Sequence, residues 1–243
     1  MGIQQSPNYT IERYNERISV VRFERSMDEE INDKVHHLCA AIEANPFLGF
    51  IEAIPTYATV AVYYDVFRIY EQSKEVEAFV HQHLEHLILQ SWYDRHLSKK
   101  VVYIPVCYGG KYGPDLREVA AYHRMLPEEV IAEHTAKLYP VYMIGFAPGF
   151  PYLGGVSERI AVPRRSTPRK KIPAGSVGIA GRQTGIYPFA SPGGWQIIGR
   201  TPLSLFHVDQ DPPTHICPGN KVKFTPITAS EYEEWGHTTG GAS

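Results

Sequence analysis

Between residues 26 and 44 the apolar side chains Ile31, Val35, Leu38 and Ile42 recur every three or four positions. That spacing places them on one face of a helix. Ser26, with Glu29 three residues on, is a capping-box signal, in which the hydroxyl bonds the glutamate amide and the carboxylate reaches back. Asn45-Pro46 stops the helix. A second helix over 73–90 would bury Val76, Phe79, Val80, Leu84, Leu87 and Ile88. Short β-rich runs lie around the two helices at 9–14, 18–23, 50–54, 59–64 and 101–106. The order strand, helix, strand, strand, helix, strand is the split-βαβ, ferredoxin-like arrangement, which hosts many unrelated activities and assigns none.

The spacing changes after the loop Tyr108-Gly109-Gly110-Lys111-Tyr112-Gly113-Pro114, the natural boundary between a domain over 1–107 and one over 108–243. Asp115 with Glu118 caps a short helix carrying Leu116, Val119 and Ala120, and Pro127 opens another. From residue 139 every predicted element is a short strand: 141–146, 160–162, 176–180, 183–187, 196–201 and 221–225. Turn residues separate them at short intervals, as in a closed or nearly closed barrel. The expected class is α+β: an N-terminal α/β domain, then a β-barrel domain with two leading helices.

Composition is that of an ordinary globular chain, 43% hydrophobic and 21% charged over 243 residues. A net charge of −2 gives no global field for nucleic acid or anionic lipid. The helix pair near 115–137 imitates a helix-turn-helix, but Glu128, Glu129 and Glu133 against Lys137 would repel phosphate. There is no apolar run of about 18 residues and no signal-peptide core at 1–9. Cys39, Cys107 and Cys217 have neither pairable nor metal-like spacing and read as reduced thiols of a cytoplasmic protein. His81, His83 and His86 suit a hydrated helix face better than a metal centre, because residues two apart on a helix point away from each other. His81 does share a stripe with Glu77 and Glu85, and adjacent His36 and His37 cannot face one ion. No metal site is expected.

The candidate chemistry lies in residues 145–195, where glycine, proline and aromatic residues alternate. Gly145-Phe146-Ala147-Pro148-Gly149-Phe150-Pro151-Tyr152-Leu153-Gly154-Gly155 precedes a basic run, Arg164-Arg165-Ser166-Thr167-Pro168-Arg169-Lys170-Lys171. Stiff loops carrying polar and aromatic side chains fit a small-molecule pocket, and equally a tight all-β domain with many corners. Arg164, Arg169 and Arg182 are candidates to bind an anion, while Gln183, Thr184, Tyr187 and Ser191 would orient an amide-like ligand. Phe146, Pro148, Gly149, Phe150, Gly193, Gly194 and Trp195 would form the wall. The G-x-S-x-G elbow and the Walker P-loop are both absent, and the only carboxylate of the stretch is Glu158. Catalysis built wholly from this chain is poorly supported.

Together with Pro173-Ala174-Gly175-Ser176-Val177, Gln183-Thr184-Gly185-Ile186-Tyr187-Pro188 and Ser191-Pro192-Gly193-Gly194-Trp195, the stretch resembles the allophanate hydrolase subunit 1 family, also called the carboxyltransferase C/D domain. The likeness continues through Ile198-Gly199-Arg200-Thr201-Pro202 to Pro218-Gly219, and is carried in the N-terminal half mainly by element order. It implies that the barrel is cyclophilin-like. It also implies partnership with subunits A and C of a 5-oxoprolinase, which open 5-oxoproline to L-glutamate with ATP. Other members resemble inhibitors that grip the dimerisation helices of a sporulation histidine kinase. A third reading is a urea-amidolyase-type component, although nothing here looks like a biotin-acceptor segment. Two positions depart from the family pattern: His207 and Asn220 stand where Asp is expected. Asn keeps the turn chemistry at 220, whereas His207 would weaken an acidic role at the barrel rim.

Overall fold

The structure is a computed structural model that describes residues 8–23, 28–91, 99–214 and 216–239. The chain divides into two units, Met1–Ser98 and Lys99–Ser243.

In the first unit β1 (Tyr9–Asn15), β2 (Ile18–Phe23), β4 (Thr59–Tyr64) and β3 (Phe50–Pro55) form, in that order, a four-stranded antiparallel sheet. Alternate residues Val21, Phe23, Val60, Val62 and Tyr64 are buried on one face. They pack with Val35, Leu38 and Ile42 of α1 (Glu29–Ala44) and with Val80, Leu84, Leu87 and Ile88 of α3 (Val76–Ser91). Asp28 caps α1, its carboxylate accepting from the amides of Glu30 at 2.7 Å and Ile31 at 3.3 Å. The expected cap, Ser26, lies outside the described residues. A short helix, α2 (Val66–Gln72), is capped the same way by Asp65, and the apolar periodicity did not announce it. Of the histidines, His83 bonds the carbonyl of Asn45 at 3.0 Å and His86 meets Gln90 at 2.9 Å.

The second unit is a closed barrel of seven strands in the order β10-β7-β6-β13-β5-β12-β9. These are β5 (Val101–Tyr108), β6 (Tyr139–Ile144), β7 (Pro151–Gly154), β9 (Ser176–Ala180), β10 (Gln183–Ile186), β12 (Gln196–Arg200) and β13 (Lys221–Ile227). Two further strands, β8 (Arg169–Ile172) and β11 (Ser191–Gly193), pair as a separate ribbon. The helices are α4 (Leu116–Tyr122), α5 (Pro127–Ala136) and α6 (Ala229–Thr239).

The α+β class is as expected, but one strand changes sides. The expected boundary at 107/108 gave residues 101–106 to the first domain as the last strand of its split-βαβ order. In the structure β5 belongs to the barrel, parallel to β13 from Lys221 opposite Val101 to Ile227 opposite Cys107. The reason is visible in β5 itself: Ile104, Pro105, Val106 and Cys107 are buried in succession, which a sheet open on one face cannot provide. Without that strand the first unit is a hairpin followed by a helix, a second hairpin and two helices. Residues 160–162, expected as a strand, contribute only an isolated bridge from Val162 to Gly181. The C-terminal helix α6 was also unexpected.

Candidate functional site

The loop from Gly145 to Phe150 closes on itself, the amide of Gly145 donating to the carbonyl of Phe150 and that of Phe150 to Ala147. Closure forces Phe146 into the left-handed region at φ 66°, unusual for a bulky side chain, and leaves its ring 65% exposed. Gly149 turns the chain at φ 77°, and a Cβ there would stand 2.9 Å from Cβ of Phe206, so the position demands glycine. Exposed Pro148 stiffens the tip.

Beneath this loop Phe150, Tyr187, Trp195, Ile172 and Ile197 are buried as one cluster, with Tyr152 half-buried against it. The Phe150 ring is the hub, with centroids 4.9 Å from Tyr152, 5.1 Å from Tyr187, 5.5 Å from Trp195 and 5.6 Å from Phe146, all edge-on or tilted. Gly193 gives the Tyr187 hydroxyl its space, since a Cβ there would collide with it. Burial pushes the Tyr187 hydroxyl up to about 12. Phe150 and Trp195, expected as an open pocket wall, are therefore buried as an aromatic floor under the loop, while Phe146 and Tyr152 remain accessible.

The expected anion ligands separate into different roles. Arg164 is exposed, with its guanidinium carbon 5.9 Å from the Trp195 ring centre, in cation–π range. Burial raises the Tyr152 and Tyr187 hydroxyls, and the Arg164 charge opposes that rise in both. Arg169 is already engaged: Nη1 and Nη2 donate to Oδ2 and Oδ1 of Asp115 at 2.8 and 2.6 Å, a bidentate pair that holds the guanidinium charged. Arg165 donates to the same carboxylate at 3.1 Å, while its amide donates to the carbonyl of half-buried Gly194. Arg182 makes a 3.4 Å surface pair with Glu158. Lys170 and Lys171 are exposed on β8.

The polar candidates divide as well. Half-buried Gln183 opens β10, paired with Gly154 of β7 and Ala180 of β9. Ser191 pairs with Ile172 in the ribbon. Thr184 is wholly buried and belongs to the interior, where its hydroxyl donates to the carbonyl of Gly178 at 2.9 Å. With that proton committed, it accepts from Nε2 of His134 at 3.0 Å, and Nδ1 of His134 accepts from the Tyr108 hydroxyl at 2.8 Å. His134 is completely buried and stacked on Phe224, and desolvation pushes its pKa down to about 3. It is neutral, and it fastens α5 to the barrel.

Asp115 is the residue whose role the sequence reading missed. It stands at the start of α4 but makes no side-chain cap. Its carboxylate, 2% exposed, instead accepts from both arginines and from the amide of Ile197 at 2.6 Å. Its partners lie 50 to 82 residues downstream, so no local pattern announces it. Half-buried His207 lines a cavity of about 470 Å³ with Val102, Ile104, Pro202, Leu203 and Leu205.

An α+β unit followed by a closed seven-strand barrel is the architecture of a carboxyltransferase-type domain, and the family match assigns the class. The chain belongs to the carboxyltransferase domain family, subdomains C and D, which it matches over residues 9–216. It is 47% identical over 232 residues to the B subunit of the Bacillus subtilis 5-oxoprolinase, a match covering 93% of this chain and 96% of that one. The solved structure of TTHA0988 is 34% identical with a TM-score of 0.75; it covers 88% of this chain, which spans 40% of that protein. The K. lactis urea amidolyase covers 94% of this chain at a TM-score of 0.73, with 15% of its own length matched. At 20% identity that likeness speaks for the fold alone.

Proposed function

We propose that the chain is the B subunit of an ATP-dependent 5-oxoprolinase, which opens 5-oxoproline to L-glutamate together with partner subunits A and C and is inactive alone. The end-to-end match to the B. subtilis 5-oxoprolinase B subunit carries the reading. The same unit makes up part of a longer polypeptide in TTHA0988. We place the protein in the cytoplasm; its three cysteines are free, and among the described residues no helix is long and apolar enough to cross a membrane.

The chemistry fits the residues. A lactam resists hydrolysis because its nitrogen lone pair is delocalised into the carbonyl, and ATP supplies the phosphoryl group that turns the lactam oxygen into a leaving group. Arg164, Lys170 and Lys171 carry no neutralising carboxylate among the described residues, so the donor set suits an anion of carboxylate or phosphate type. Arg164 takes the substrate carboxylate, and Phe146 and Tyr152 flank the five-membered ring. The sequence has no P-loop and no carboxylate pair in this stretch, so ATP and the general acid and base are assigned to the assembled complex.

The test is 5-oxoproline turnover with ATP, measured with this chain alone and with both partners. Turnover confined to the three-component mixture is expected. Full turnover by the isolated chain, or none in the mixture with kinase inhibition in its place, rejects the reading. In the active mixture Arg164→Ala should raise KM for 5-oxoproline about 10- to 100-fold, the worth of a charge-assisted hydrogen bond, with an unchanged melting temperature.

A further inference from the structure

We infer that Asp115 is a positioning residue: by holding Arg165 and Arg169 it keeps Arg164 as the one guanidinium of the basic run free over the aromatic floor. The inference rests on the assignment of Arg164 to the substrate carboxylate. Three arginines fall within six consecutive residues, and long cationic side chains so close together would otherwise compete for one π-face and one anion. Geometry prevents the competition. Asp115 is almost fully buried, Arg169 meets both of its oxygens, Arg165 meets one, and the amide of Ile197 takes the remaining acceptor direction at 2.6 Å. Arg165 is fixed at the backbone too, its amide bonded to Gly194 at 2.7 Å, one residue before Trp195. The neighbouring Arg164 is left to lie over that ring. The Asp115 amide donates in turn to the carbonyl of Ile197 at 2.9 Å, so the carboxylate is anchored at its own backbone to β12. Burial raises the Tyr187 hydroxyl, and the charges of Arg164 and Arg169 both oppose that rise. Released from Asp115, Arg169, five residues from Arg164, would be a second uncommitted guanidinium of the same run.

The experiment compares the wild-type chain, Asp115→Asn and the double variant Asp115→Asn with Arg169→Gln. Asn keeps the shape and an acceptor for the Ile197 amide while removing the charge that holds Arg169. In the three-component assay Asp115→Asn should raise KM for 5-oxoproline about tenfold or more with kcat within about twofold, because an uncompensated Arg169 displaces Arg164. The double variant, with no loose charge, should return KM to within about threefold of wild type. The isolated chain gives a second readout that needs no turnover. NMR should show the ring-current shift of the Arg164 side chain over Trp195 in the wild type, its loss in Asp115→Asn and its recovery in the double variant. An unmoved Arg164 signal in a folded Asp115→Asn variant overturns the inference, as does equal loss of activity and melting temperature in both variants. A wild-type complex that does not turn over 5-oxoproline defeats the functional assignment instead and leaves the NMR result to decide the role of Asp115.

Discussion

Two buried polar centres of the second unit, Asp115 and His134, sit at the starts and ends of neighbouring short helices and are handled in opposite ways. The Asp115 carboxylate is surrounded by guanidinium donors; His134 gives its charge up and joins a neutral chain from Tyr108 to Thr184 and Gly178. A buried charge must have partners that are themselves anchored, so the first centre reaches the accessible basic loop. A neutral imidazole needs only two hydrogen-bonding neighbours, so the second stays sealed inside the barrel wall.

The comparison can be broken by substitution. Asp115→Ala should be the most damaging change, costing about 3–5 kcal/mol in chemical denaturation by leaving two guanidiniums without their buried acceptor. A loss under about 1 kcal/mol would mean that the arginines relax into water. Acid should act through the other centre. The folded pKa of His134, about 3, lies below its unfolded value near 6.5, so the unfolded chain binds the extra proton. The neutral histidine's contribution is complete above pH 6.5 and is lost as pH falls toward 3, at up to about 1.4 kcal/mol per pH unit. Urea titrations across that window measure the slope, and His134→Gln should flatten it. Thr184→Val removes the acceptor of the imidazole N–H without changing its shape and should cost about 1–3 kcal/mol. Arg182→Ala marks the smallest effect: its exposed pair with Glu158 should leave both stability, within about 0.5 kcal/mol, and complex activity unchanged. A clear loss of turnover would return Arg182 to the recognition set.

Helix periodicity and turn chemistry made most elements legible beforehand, including β9, β10, β12 and both long helices of the first unit. They failed where the deciding contact is remote. β5 reads as one more apolar strand until β13 is seen beside it, more than a hundred residues later. Asp115 reads as a helix cap because its position is a cap position, and only Arg165, Arg169 and Ile197 reveal the other use. The basic run was legible as a cationic stretch, yet composition cannot tell which of its arginines is already occupied. Thr184 looked like a ligand for the same reason: a polar residue on a short strand carries no mark of which face is inside until register is known.

The parallel pairing of β5 with β13 also fixes an order of events during synthesis. The strand that begins the second unit can find its long partner only after residues 221–227 have left the ribosome, by which time most of the intervening chain is already waiting. The first unit has no such dependence and can settle early. Nascent chains cut short before residue 221 should therefore carry a folded first unit ahead of a protease-sensitive remainder, and full-length release should be the step that makes the remainder resistant.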